Sequence, residues 1–123
     1  MNNSTKYDFI LKSIFGFESL RPFQKDVVDS MLNGDDILVI SPTGSGKSLC
    51  FQLPAMVNEG MTIVLSPLRS LIYDQVETLK EKGVSCELLN GDLGVRRKTK
   101  LFQELKKKIQ KKKIIQKKII IHK

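Results

Sequence analysis

Ile37-Leu38-Val39-Ile40 runs straight into Ser41-Pro42-Thr43-Gly44-Ser45-Gly46-Lys47-Ser48, and this junction constrains the chain more than any other feature. An unbroken apolar tetrapeptide suits a strand buried on both faces. A glycine-bearing loop follows it, and Lys47-Ser48 then opens a helix, which is the layout of a P-loop. Such a loop turns successive backbone N–H groups inward, and the helix N-terminus adds partial positive charge, so phosphate oxygens meet donors already in place. Lys47 is spaced to reach the β- and γ-phosphates, and the Ser48 hydroxyl to ligand Mg²⁺. Ser41 stands where the strict pattern has glycine.

Hydrolysis in P-loop enzymes also needs a second acidic site, usually an Asp-Glu pair on a later strand, that organises Mg²⁺ and water. No Asp-Glu dipeptide follows Ser48, where the acids are Glu59, Asp74, Glu77, Glu81, Glu87, Asp92 and Glu104. Asp74, Glu77 and Glu81 fall on a predicted helix, and none of the seven ends an apolar strand beside a second acid. The residues supply one half of a hydrolytic centre, and no catalytic residue is assigned.

At 123 residues the chain has room for one domain at most. Its formal net charge of +8 is unevenly distributed. Residues 1–92 hold 8 basic and 12 acidic residues, a net of −4, whereas residues 93–123 hold 13 basic and one acidic, a net of +12. Cys50 and Cys86 have no second ligand at metal-binding spacing, and His122 stands alone. Two unpaired thiols fit a reducing, intracellular setting; the location expected is the nucleus in a eukaryote and the cytoplasm otherwise. No apolar run approaches the ~18 residues of a membrane span, and the N-terminus lacks a signal-peptide core.

The periodicity predicts an α/β arrangement. Phe9, Ile10, Leu11 and Ile14 suggest a short helix stopped by Gly16. Pro22 suits the first turn of a second helix, in which Phe23, Val27 and Met31 recur every four residues before Asn33-Gly34 closes it. A helix from Lys47 to about Val57 is expected despite Pro54, which should kink or shorten it. Met61-Thr62-Ile63-Val64-Leu65 reads as a second buried strand. Leu68, Ile72, Val76 and Leu79 mark a helix ending at Gly83, and residues 84–89 a third strand capped by Asn90-Gly91-Asp92. Alternating strands and helices imply parallel pairing. Residues 1–94 form the N-terminal part of a P-loop α/β lobe in this reading. Residues 95–123 form a Lys/Ile-rich helix to about Ile109 and a low-complexity tail, in which Ile119-Ile120-Ile121 is either a strand core or unstructured.

Three blocks narrow the reading further: Phe15-Gly16-Phe17 with Leu20-Arg21-Pro22-Phe23-Gln24; Lys47-Ser48-Leu49-Cys50-Phe51-Gln52-Leu53-Pro54-Ala55; and Leu65-Ser66-Pro67-Leu68-Arg69-Ser70-Leu71-Ile72-Tyr73-Asp74-Gln75-Val76. Together they resemble the start of the RecQ family of superfamily 2 DNA helicases, which unwind duplex DNA in the 3′→5′ direction using ATP. The resemblance covers about residues 9–92. It implies a partial, incomplete RecA-like P-loop domain with a parallel sheet flanked by helices, and ATP, Mg²⁺ and single-stranded or forked DNA as partners. It further implies that Gln24 reads the adenine edge, that Phe17 and Arg21 hold the adenine ring by stacking, and that Thr43, Gly44, Ser45, Gly46, Lys47 and Ser48 hold phosphates and Mg²⁺. Ser66, Pro67, Leu68 and Arg69 would lie along a DNA strand, positioning it without reading sequence.

This chain departs from the family pattern at several points. Leu20 replaces an aromatic residue, Phe23 a small one and Arg69 an aliphatic one. The Asp-Glu-x-His box, the later motor motifs and the second lobe do not occur in these residues. The Lys-rich tail is open to two readings: a truncated or divergent terminus, its composition following from an A/T-biased or frameshifted coding sequence, or a DNA-binding arm. Two functional readings follow: an ATP-binding N-terminal portion of a helicase that neither hydrolyses ATP nor unwinds DNA alone, or a stand-alone nucleotide- or nucleic-acid-binding module without turnover. A small-molecule kinase is disfavoured, because Gln24 and residues 66–76 would have no purpose in it.

In RecA-like lobes the P-loop strand sits mid-sheet beside strands that arrive later in sequence. Without them, a strand with unpaired backbone groups costs several kcal/mol, against a domain stability of only about 5–15 kcal/mol. The 123-residue chain is expected to be marginal or aggregation-prone unless the tail strand substitutes. Reversible two-state unfolding of the purified chain would contradict this.

Overall fold

The computed structural model describes residues 3–42, 44–89, 94–111 and 118–120. Two compact units emerge, Met1–Leu65 with Gln116–Lys123, and Ser66–Ile115.

The first unit is built around a helix that the sequence makes apolar nearly all round. Helix α1 (Asn3–Ile10) continues as a π-helical turn over Leu11–Phe15, and Gly16 ends it in the left-handed conformation (φ +75°). Helix α2 (Pro22–Asn33) begins with Pro22, whose missing N–H costs nothing at a helix start, and stops at Gly34 (φ +95°). Helix α3 (Lys47–Val57) packs against both α1 and α2. Their shared core comprises Tyr7, Leu11, Phe15, Val28, Met31, Leu49, Cys50, Phe51, Leu53 and Val57. Pro54 does not shorten α3. It is fully buried inside the helix, and its carbonyl accepts the Asn58 N–H at 2.9 Å, which closes the last turn. Burial pushes the Cys50 thiol up from its ordinary range, as expected of a core sulfur.

Strands are where sequence expectation and structure part. Strand β1 is only Ile63–Leu65, and it pairs in parallel with β2 (Lys118–Ile120), with Val64 opposite Ile119. Ile63 and Leu65 are 44% and 61% exposed, so β1 is not the doubly buried strand its composition predicts. Residues 37–40, expected to be the first and most buried strand, form no strand at all, and Leu38 and Ile40 are 70% and 87% exposed. The reason is partnership. A strand is stable only with hydrogen-bonded neighbours, and the tail segment that could have supplied one pairs with β1 instead. The parallel sheet flanked by helices is thus represented, among the described residues, by one three-residue pair.

The second unit holds helix α4 (Arg69–Glu81) and helix α5 (Val95–Lys111). Gly83 follows α4 with φ +81°, as its position after the last apolar residue predicts. Residues 84–89, expected as a third strand, are irregular. They keep a strand-like alternation, with 84, 86 and 88 half-buried and 85, 87 and 89 exposed, but no neighbour pairs with them among the described residues. The expected cap at 90–92 lies outside the described residues. Arg97 directs Nη2 to both carboxylate oxygens of Glu87 at 3.5 Å, an exposed pair that contributes little stability.

The exposed apolar backbone at residues 37–40 is a template for intermolecular strand pairing. The double variant Leu38→Lys/Ile40→Lys is expected to shift the purified chain from oligomer toward monomer in light scattering at matched concentration. Its helical circular dichroism should stay unchanged, because both side chains already face solvent.

Candidate functional site

Two stretches that are far apart in sequence, Arg21 with Gln24 and the loop from Ser41 to Lys47, meet at the start of α3. Gly46 is its N-cap, with φ +91°, and Gly44 has φ +83°. Both conformations are ones that residues with a Cβ rarely adopt. At Gly46 space is a second constraint, since an added Cβ would collide with Nε2 of Gln24.

Gln24 is the only buried polar residue among those described, at 5% exposure. Its place follows from α2: it is the third residue of the helix, so its side chain folds back over the helix start. Oε1 accepts the Arg21 N–H at 2.9 Å, one half of a capping box. Nε2 donates to the Gly46 carbonyl at 3.0 Å, a contact spanning 22 positions of sequence. Arg21 makes a second tie, donating from Nη1 to the Ser45 carbonyl at 3.0 Å. Adjacent residues of the loop are therefore held from the same end of α2.

The loop is also bonded to itself. The Ser45 hydroxyl donates to the Pro42 carbonyl at 2.7 Å. It lies 2.8 Å from the Ser41 hydroxyl, and since its single proton is committed, Ser41 must be the donor in that pair. The Ser45 N–H also donates to Pro42 O, at 3.3 Å. Lys47 Nζ donates to the Ser41 carbonyl at 2.6 Å, leaving two of its three ammonium protons for other acceptors. Ser41, which the sequence marks only as a missing glycine, thus carries two contacts of the loop. The legible signal was the pair of serines four positions apart. Cys50 donates weakly to the Gly46 carbonyl, at 3.8 Å.

Of the residues assigned from sequence, Arg21, Gln24, Ser45, Gly46 and Lys47 form this cluster; Gly44 belongs to the same loop, and Ser48 is the second residue of α3 and half-buried. Phe17 is 53% exposed just past Gly16, its N–H bonded to the Leu11 carbonyl at 3.2 Å. Thr43 lies outside the described residues. Ser66, Pro67, Leu68 and Arg69 belong to the second unit. There the Ser66 hydroxyl accepts the Leu68 N–H at 3.4 Å, forming a turn that leads into α4, and Arg69 is the first residue of that helix.

Gly46→Ala is expected to destabilise the chain by roughly 1–3 kcal/mol, because a left-handed backbone and a steric conflict coincide. Adding Gln24→Ala should recover part of this loss, since it removes the collision and leaves the backbone strain. A chemical-denaturation double-mutant cycle measures the coupling.

The sequence pattern of the DEAD/DEAH box helicase family matches residues 21–122. A RecQ-like DNA helicase, blm-1, of Caenorhabditis elegans is 52% identical over 103 residues, 84% of this chain and 10% of that protein. The ATP-dependent DNA helicase RecQ of Haemophilus influenzae is 49% identical over 82 residues, 67% of this chain and 13% of its own length. An ATP-dependent DNA helicase Q-like 2 of Arabidopsis thaliana is 40% identical over 103 residues, again 84% of this chain and 15% of the relative. The chain therefore spans between a tenth and a sixth of the curated relatives it matches. No helix among the described residues is long and apolar enough to cross a membrane. With its loop, its Gln24 and its following helix inside the matched region, this chain belongs to the DEAD/DEAH box helicase family, and its relatives within that family are RecQ-type DNA helicases.

Proposed function

We propose that this chain is the ATP-binding N-terminal portion of a RecQ-like 3′→5′ DNA helicase lobe, acting inside the cell on DNA in the nucleus or cytoplasm. The observation that carries the reading is the tie of Arg21 and Gln24 to the carbonyls of Ser45 and Gly46, immediately before Lys47 opens an eleven-residue helix. These contacts turn the loop carbonyls toward α2. A peptide plane whose carbonyl is held on one side presents its N–H on the other, where phosphate oxygens can accept it.

The donor set fits a nucleotide. Lys47 supplies a positive charge beside two glycines with left-handed backbone, and the α3 N-terminus adds its own partial charge. Gln24 retains one amide proton and one oxygen lone pair beyond its internal bonds, and these suit the donor and acceptor on the adenine edge. Arg21 and the exposed Phe17 hold the ring by stacking. The Ser48 hydroxyl would supply a single magnesium ligand, which suits an ion that takes most of its shell from water and phosphate. Bound there, Mg²⁺ would neutralise phosphate charge. Residues 66–69 position a DNA strand in this reading.

Turnover in P-loop enzymes uses an Asp-Glu pair on a later strand, and no Asp-Glu dipeptide occurs in these residues. This favours binding without hydrolysis by the isolated chain, and it keeps the stand-alone binding module as the second reading.

Titration with a fluorescent ATP analogue and Mg²⁺ is expected to saturate, with ATP hydrolysis no faster than the buffer blank. Lys47→Ala should weaken binding by roughly 10- to 100-fold, the range for a lost charge-assisted hydrogen bond of about 1.5–3 kcal/mol. A folded chain that binds no adenine nucleotide would overturn the proposal.

A further inference from the structure

Helix α5 is unlike the rest of the chain. Its 17 residues carry eight basic side chains and one acidic one. Their arrangement on the helix is ordered rather than uniform. Arg96, Lys100 and Lys107 recur at i, i+4 and i+11, which places them within about 40° of a common line and spreads them over ~16 Å of helix. All three are exposed, and none forms an ion pair among the described residues. Arg97, by contrast, is neutralised by Glu87. Glu104 flanks the stripe and offsets one charge.

The centre of the opposite face is already used. Leu101 is 9% exposed and Leu105 half-buried, while Val95 and Phe102 at the edge of that face are 81% and 51% exposed. That distinguishes two occupants. A helix lying in a membrane surface inserts its apolar face and needs that face free. A helix that contacts a polyanion uses the polar face, which here is the free one.

We propose that the Arg96–Lys100–Lys107 face of α5 is a sequence-independent contact for the phosphate backbone of a nucleic-acid strand. Along the helix the first two cations lie about 6 Å apart and the second and third about 10 Å, spacings that let each meet a different phosphate. Contacts of this kind neutralise phosphate charge and release counterions, and affinity falls with salt in proportion to their number. They carry no base recognition. The inference rests on the reading of DNA as a partner and assigns a surface for it that lies outside residues 66–69.

The test is fluorescence anisotropy of a labelled single-stranded oligonucleotide of mixed sequence with the complete chain, between about 50 and 200 mM salt. The triple variant Arg96→Gln/Lys100→Gln/Lys107→Gln is expected to bind about tenfold or more weakly at the low end. The slope of log affinity against log salt should become shallower by about 2, at about 0.7 per phosphate contact on a single strand. A charge-matched variant, Lys12→Gln/Lys80→Gln/Lys82→Gln, should bind as the unmodified chain does. Equal loss in both triples, or unchanged binding by the α5 triple, would sink the inference alone. So would tight binding to phosphatidylserine-containing vesicles that the oligonucleotide does not displace. No binding by the unmodified chain would remove the DNA part of the proposed function as well. If circular dichroism shows the α5 triple unfolded, the three single variants decide the matter, each expected to remove about a third of the slope change.

Discussion

One buried amide organises this structure. Gln24 sits at 5% exposure with its oxygen on the Arg21 N–H and its nitrogen on the Gly46 carbonyl. A primary amide left unbonded at that depth would cost on the order of 1–3 kcal/mol, so the site is stable only while loop and helix stay together. The two positive-φ glycines are what allow it. Gly46 gives Nε2 the room it occupies, and Gly44 and Gly46 let the chain turn tightly enough for the Ser45 carbonyl to face Arg21. The loop geometry is thus fixed by its neighbours as much as by its own residues.

Beneath that loop, the three helices of the first unit close a core that needs no sheet. α3 contributes Leu49, Cys50, Phe51, Leu53, Pro54 and Val57 to it, which explains how a Pro inside the helix is accommodated: apolar burial on nearly every side outweighs one missing hydrogen bond. The segments with strand-like composition behave differently. Residues 37–40 are as apolar as a buried strand requires and residues 84–89 alternate as a half-buried one would, yet both are irregular and partly exposed. Burial for a helix depends on neighbours touching its surface. For a strand it depends also on a specific hydrogen-bonded edge, and the short β1–β2 pair is the only one formed among the described residues.

Charge divides the chain along a different line. Residues 1–92 are mildly acidic overall, and the cations at the glycine loop are Lys47 and Arg21. The tail carries the basic excess on a helix with a defined apolar seam. A whole-chain net charge of +8 would have hidden both facts. Under the two proposals above, the loop recognises phosphate by geometry and the helix by charge density, so they differ in expected salt sensitivity and in what a single substitution removes.

What the residues settled unaided was local. Pro22 and Gly34 bound α2, Gly16 and Gly83 stop the helices before them, and Lys47-Ser48 opens α3 behind a glycine loop, because backbone stereochemistry at Pro and Gly depends on no distant partner. Family membership was equally legible, since it rests on the order of side chains in three blocks. Only the tertiary structure could decide the rest. It placed Gln24 in a strut spanning 22 positions, gave Ser41 its two contacts, and left residues 37–40 without the sheet their composition calls for. Each of these depends on which distant backbone groups arrive beside a residue, and neither hydrophobic periodicity nor a motif encodes that arrival.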